Sequence, residues 1–123
     1  MKPVQSLEPL RAYCQTLPEV TERVSHGDPA FFVAKKCFVM VKTNHHATGW
    51  LAFWCASTLE FRAAMLERDP MTYFVPPYVG HRGWLGVRLD TGLPQETFEN
   101  HLLEAYYCVA PPRLLLDPDV NRG

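Results

Sequence analysis

The sequence predicts one α+β domain in which an antiparallel sheet is packed by helices, in the order α–β(3–4)–α–β(1–2)–α. Three observations lead there. Apolar residues recur at helical spacing in three stretches, near the start, the middle and the end of the chain. Between them lie runs rich in aromatic and β-branched residues, joined by turns too short for parallel crossovers. No linker, repeat or low-complexity stretch divides the 123 residues, so they read as one domain, 1–123. Seven Phe, five Tyr and three Trp supply bulky material for its core.

Ser6 is expected to cap the first helix, with Leu7, Leu10, Cys14 and Leu17 as its apolar stripe. Pro9 suits the first turn and Pro18 stops it. So short a helix is marginal alone and must dock on something. Glu22 to His26 reads as a short extended segment before the turn Gly27-Asp28-Pro29. Ala30 to Ala34 and Cys37 to Lys42 read as two strands of a hairpin turning at Lys35-Lys36. The second of these is apolar on both faces, which marks a central strand. Thr43 to Gly49 reads as a polar turn, and Trp50 to Cys55 as the next strand.

Ser57-Thr58-Leu59-Glu60 has the capping-box pattern, flanked by Ala56 and Phe61 as a weak staple. It opens a helix through Phe61, Ala64, Met65 and Arg68 that stops at Asp69-Pro70. Met71 to Val75 is short and extended. Pro76-Pro77 lacks amide donors, which confines that stretch to an edge or a loop. Trp84 to Asp90 alternates, with Leu85, Val87 and Leu89 toward the core and Trp84, Gly86 and Arg88 on the other side. After the turn Thr91-Gly92, Pro94 opens the last helix, whose stripe is Phe98, Leu102, Ala105 and Val109. Pro111-Pro112 ends it, and residues 114–123 form a C-terminal extension in which Leu114, Leu115 and Leu116 cover a sheet edge or helix end.

Charge is nearly balanced, at a net −1. Any contact with phosphate must therefore rest on a local cluster of cations. The four cysteines lie far apart beside apolar runs and read as reduced, mostly buried small hydrophobes. His45 and His46 are adjacent, so on an extended chain they point to opposite sides; they suit a solvated turn better than a metal site. Ser25-His26 is not a catalytic pair without convergent side chains, and Cys37 has no assigned histidine. No nucleophile elbow, phosphate loop or dinucleotide fingerprint is present. The expectation is a chain with no catalytic residues, no cofactor and no metal. No apolar run reaches the roughly 18 residues of a membrane span, and the first residues carry no apolar secretory stretch. A cytoplasmic location follows as the expectation.

Two surfaces remain as candidates. Lys35, Lys36, Lys42, Arg82 and Arg88 fall in the sheet-and-turn region, where they suit the phosphates of double-stranded DNA. The densest unusual stretch is Pro76 to Trp84. Its prolines stiffen the backbone, while Gly80 and Gly83 permit paths closed to larger residues. A cleft around His26, Tyr78, His81 and Trp84 would instead take a protein or a small ligand.

Ser25-His26-Gly27-Asp28-Pro29-Ala30-Phe31, followed by Lys36 and Phe38, resembles the MmcQ/YjbR-like family. So do Pro77-Tyr78-Val79-Gly80-His81-Arg82-Gly83-Trp84 and the helical run Ala105-Tyr106-Tyr107-Cys108-Val109-Ala110-Pro111. The resemblance spans about residues 5 to 115, nearly the whole chain. It implies a compact antiparallel α/β fold of the frataxin-like (CyaY-like) and double-wing kind. Some members are labelled DNA-binding through likeness to the double-wing domain of a phage transcription factor. The resemblance implies no catalytic residues. Here Pro111-Pro112-Arg113 stands where a proline-lysine ending is commoner, which lowers the positive charge there.

Overall fold

The computed structural model describes residues 7–25, 27–45 and 50–115. Its strands are β1 (Val20–Ser25), β2 (Asp28–Val33), β3 (Lys36–His45), β4 (Trp50–Cys55), β5 (Tyr73–Phe74) and β6 (Leu85–Arg88). They form one sheet in the order β1-β2-β3-β4-β6-β5, and every neighbouring pair is antiparallel. The helices are α1 (Glu8–Gln15), α2 (Leu59–Arg68), α3 (Gln95–Val109) and the short α4 (Pro112–Leu115). The expected α+β order is thus realised, with four strands before α2 and two after it.

Register assigns each side chain to a face. Val39 stands opposite Cys55 and Cys55 opposite Leu85, while Val41, Phe53, Val87 and Tyr73 make the next row. All are buried, and they carry the core. Leu85, Val87 and Leu89 are each 0 % exposed, so the predicted alternation places the core as expected. Burial of each such side chain is worth about 1.5–3 kcal/mol. A register shift lies between Phe31 and Phe32, with Phe31 paired to Val39 and Phe32 to Cys37. Phe38 is therefore the extra residue of a bulge, and it joins Val39 inside. There its ring meets Tyr106 edge-on, centroids 5.8 Å apart.

α3 lies across this face, burying Phe98, Leu102 and Ala105 as expected. It also buries His101 and Tyr106, whereas the predicted Val109 is only half-buried. The Tyr106 hydroxyl donates to the Pro18 carbonyl at 2.9 Å, tying α3 to the segment after α1. α1 buries Leu10 and Cys14, and its Arg11 holds Glu22 of β1 at 2.9 Å. α2 buries no residue fully; it lies at the β5 side of the sheet.

Several local expectations are corrected. Leu7 precedes α1 without a side-chain cap, and Ser6 lies outside the described residues. β1 starts at Val20, two residues before the expected Glu22, because pairing with β2 extends to Val33. The β2–β3 turn sits on Ala34 (φ 48°) and Lys35 (φ 73°), and Lys36 already belongs to β3. Thr43, Asn44 and His45 continue β3 instead of turning, since His45 pairs with Trp50. Ladder formation with β4 outweighs their polar character there. The rest of that expected turn, residues 46–49, lies outside the described residues. At α2 the cap is Thr58, whose Oγ1 accepts from the Phe61 amide at 3.1 Å. With the cap one residue later than Ser57, Glu60 no longer occupies the reciprocal position of a capping box.

Pro111-Pro112 ends α3 but starts α4, where Leu114 is buried. Arg113 pairs with Glu19, so the expected C-terminal extension begins as packed chain. Leu116 and the residues after it lie outside the described residues. Of the cysteines, Cys14 and Cys55 are buried, Cys37 is half-buried and Cys108 is exposed; none forms a disulfide. Among the described residues no helix is long and apolar enough to cross a membrane.

Candidate functional site

The helices cover one face of the sheet and leave the other to a loop. Alternation assigns Ala30, Met40, Trp54 and Gly86 to a row on that second face, and Lys42, Ala52 and Arg88 to the next. Residues 75–84 fold over its β4–β6 side, with Pro76 and Val79 buried and Trp84 3 % exposed. On the β1–β3 side the face is open, and Phe32, Cys37, Met40 and Lys42 are all partly exposed.

Three cations on this face each lie over an aromatic ring. The Arg23 guanidinium is 4.9 Å from the Phe32 centroid. The Lys42 ammonium is 4.5 Å from that of Trp54, and the Arg82 guanidinium 5.0 Å from that of Trp84. Such pairs are worth about 0.5–1 kcal/mol at exposed sites, and they hold long side chains in one orientation. Arg88 is held differently, by two hydrogen bonds to the Asp90 carboxylate at 2.9 and 3.0 Å. Burial raises the Cys37 thiol pKa, while a hydrogen bond with the Val39 backbone and then the charges of Arg82 and Lys42 oppose the rise. Those two cations therefore reach the same part of the face.

The loop is held from outside. Arg62 of α2 donates to the carbonyls of Gly80 and Trp84, at 2.7 and 3.1 Å. Gly80 to Arg82 makes one 3₁₀ turn that closes at Gly83, whose φ of 83° requires glycine. Before it, the Val79 amide donates to the Pro77 carbonyl at 2.7 Å, across Tyr78. Tyr78 has φ 66° and is 79 % exposed. Its ring stands 6.5 Å from Trp54 and is tilted by 47°. Between loop and sheet runs a groove of about 520 Å³, walled by Met40, Trp54, Tyr78 and Val79, with Lys42 and Asp28 also lining it.

The predicted residues are distributed unevenly. Lys42, Arg82 and Arg88 share the second face. Lys35 and Lys36 sit exposed at the β2–β3 turn, and Lys36, opposite the core residue Val33, belongs to the helical side. Lys42 lies six positions after Lys36, about 20 Å of strand. The five cations thus do not make one patch. Of the alternative set, Tyr78 walls the groove, Trp84 is buried beneath Arg82, and His81 is exposed on the 3₁₀ turn. His26 lies outside the described residues.

Sequence reasoning missed Trp54, Met40, Arg23 and Phe32 as members of this face, and Arg62 as its brace. Arg23 two residues before Ser25, and Trp54 at a strand end, carry no signal until the register is known. It also missed the other cavity. On the helical side, Phe61, Met65 and Arg68 of α2, Tyr73, and Thr97 and His101 of α3 line about 650 Å³. His101 is 6 % exposed and shares a 2.6 Å hydrogen bond with the Tyr73 hydroxyl. Burial, with a smaller push from Arg68, lowers its pKa to about 4, so the imidazole is neutral. Its partner's pKa is raised, chiefly by burial. A neutral hydrogen-bonded pair suits structure more readily than proton transfer. Among the described residues no cluster of three or more His, Cys, Asp or Glu is placed to hold a metal ion.

The profile of a family described as YjbR matches residues 15–108. No curated protein matches the chain. Among solved structures it is similar to protein DR2400 of Deinococcus radiodurans, whose crystal structure is described with the family domain DUF419. The two share 20% identity and superpose with a TM-score of 0.73, over 87% of this chain and 80% of that one. At that identity the likeness speaks for the fold alone.

Proposed function

This chain belongs to the YjbR family, and on the sheet face that no helix covers we propose that it is a DNA-binding protein that does no chemistry on its ligand. The observation that carries the reading is the row of three cation–aromatic pairs, Arg23–Phe32, Lys42–Trp54 and Arg82–Trp84, on one side of the sheet. Such a face offers phosphates positive charge that is already oriented, and the exposed Tyr78 ring beside it offers a base a flat partner. Lys42, Arg82 and Arg88 are the phosphate contacts in this reading, with Lys35 and Lys36 reached only by a longer ligand. The near-neutral total charge fits weak, local binding.

The test is fluorescence anisotropy of a labelled oligonucleotide with the full chain, repeated from low to moderate salt. Dissociation constants of about 10⁻⁶–10⁻⁴ M are expected, weakening as salt rises. Three or four neutralised phosphates give a log–log slope of roughly −2 to −4. No binding at low salt, for duplex and single strand alike, refutes the reading. The competing reading is a small ligand or peptide in the groove under Tyr78, supported by that groove's size and its apolar walls. It would show as binding that survives high salt.

A further inference from the structure

We propose that the groove between the Tyr78 loop and the sheet is a slot for one unstacked base, so that single-stranded DNA is preferred over duplex. The inference rests on the DNA-binding reading and narrows it. A duplex keeps its bases stacked and presents a convex row of phosphates. To read one, a protein pushes a helix or ribbon into a groove of the DNA. Here the geometry is reversed, because the protein supplies the cavity. The loop rises over the β4–β6 side of the sheet, and Lys42 lies down on Trp54 inside the groove instead of projecting from it. At about 520 Å³, the space is that of a small-molecule site, large enough for a base with its sugar.

Tyr78 is the decisive residue. It occupies the centre of a tight turn closed by the Val79 amide on the Pro77 carbonyl, at φ 66°. That backbone region is a genuine outlier for a bulky side chain and costs about 1–3 kcal/mol. Glycine would fit the turn without cost, and a ring that is 79 % exposed recovers little by burial. The strain is held in place by Arg62, which fixes the backbone at Gly80 and Trp84 from α2. What the arrangement yields is an exposed ring on the wall of the groove that Met40 and Trp54 also line, tilted by 47° to the buried Trp54 ring. A base can enter the groove and stack on Tyr78, its phosphate meeting Lys42 at the groove wall. Stacking of this kind is available only to a base already out of its helix.

The experiment compares full-length protein binding to a labelled mixed-sequence single strand and to its duplex, at one low salt concentration, for the wild type, Tyr78→Phe and Tyr78→Gly. Glycine relieves the backbone strain, so loss of the ring is not confounded by loss of the fold. The expected result is tighter binding of the single strand, on the order of tenfold. Tyr78→Gly should remove that preference while leaving duplex binding unchanged, and Tyr78→Phe should keep it. Equal or tighter duplex binding by the wild type overturns the slot but leaves the DNA-binding reading standing. An unchanged single-strand affinity in Tyr78→Gly overturns it as well. Failure of both ligands to bind overturns the slot together with the reading beneath it.

Discussion

The two faces of this sheet are made from the same six strands, yet they solve different problems. On the helical face, Val39, Val41, Phe53, Leu85 and Val87 are all 0 % exposed, and their only work is exclusion of water. On the other, Met40, Lys42, Phe32 and Arg88 remain partly exposed, and cations lie on rings that are themselves packed beneath them. The difference teaches where free energy of folding ends and surface chemistry begins. The first face tolerates no change in volume, while the second tolerates change in charge at little cost to stability.

The largest effect should come from Phe53→Ala on the helical face. Loss of a fully buried ring in a close-packed core should cost about 3–5 kcal/mol in urea unfolding. A cost below about 1 kcal/mol would show that α3 and the sheet do not pack as one core. Next is the pH dependence carried by His101. Its pKa is about 4 in the folded protein, against about 6.5 unfolded. Between those values the unfolded chain takes up the proton first, so stability is complete above about pH 6.5 and falls as pH drops toward 4. The loss approaches about 3 kcal/mol, and below pH 4 this group contributes no further slope. His101→Gln should flatten the stability profile between pH 6.5 and 4 relative to the wild type. Identical slopes would remove His101 from the account. The smallest change in stability belongs to Lys42→Met on the second face, within about 1 kcal/mol, since only a cation–aromatic contact is lost. The same variant should weaken DNA binding and make the salt slope shallower by about 0.7–0.9. A large loss of stability there would erase the contrast between the faces.

Much of the helical face was legible from the residues. Leu85, Val87 and Leu89 alternate cleanly, and Phe98, Leu102 and Ala105 recur at helical spacing. His101 was overlooked there because it is polar, although its position three residues after Phe98 puts it on that same stripe. The second face was legible only in fragments. Pro76-Pro77 and the glycines at 80 and 83 announced an unusual loop, and Lys42 and Arg82, expected in the sheet-and-turn region, both lie on this face. What joins them is register, set in the β2–β3 ladder by the extra residue at Phe38 and in the β3–β4 ladder by the pairing of Met40 with Trp54. A slip of one residue would send Lys42 into the core and Val41 to the surface. Such long-range pairing leaves no local mark. The distance of Lys35 and Lys36 from Lys42 was hidden in the same way, because closeness in sequence spans about 20 Å of strand.

Gly86 sits opposite Phe74, and a Cβ at that position would run into the Phe74 ring. The missing side chain lets the aromatic ring lie flat across β6, so that β5 needs only two residues to finish the sheet. Pro76 and Pro77 follow after Val75 and offer no amide hydrogens to an approaching strand. On this flank a two-residue edge and the prolines after it disfavour growth of the sheet by strand addition.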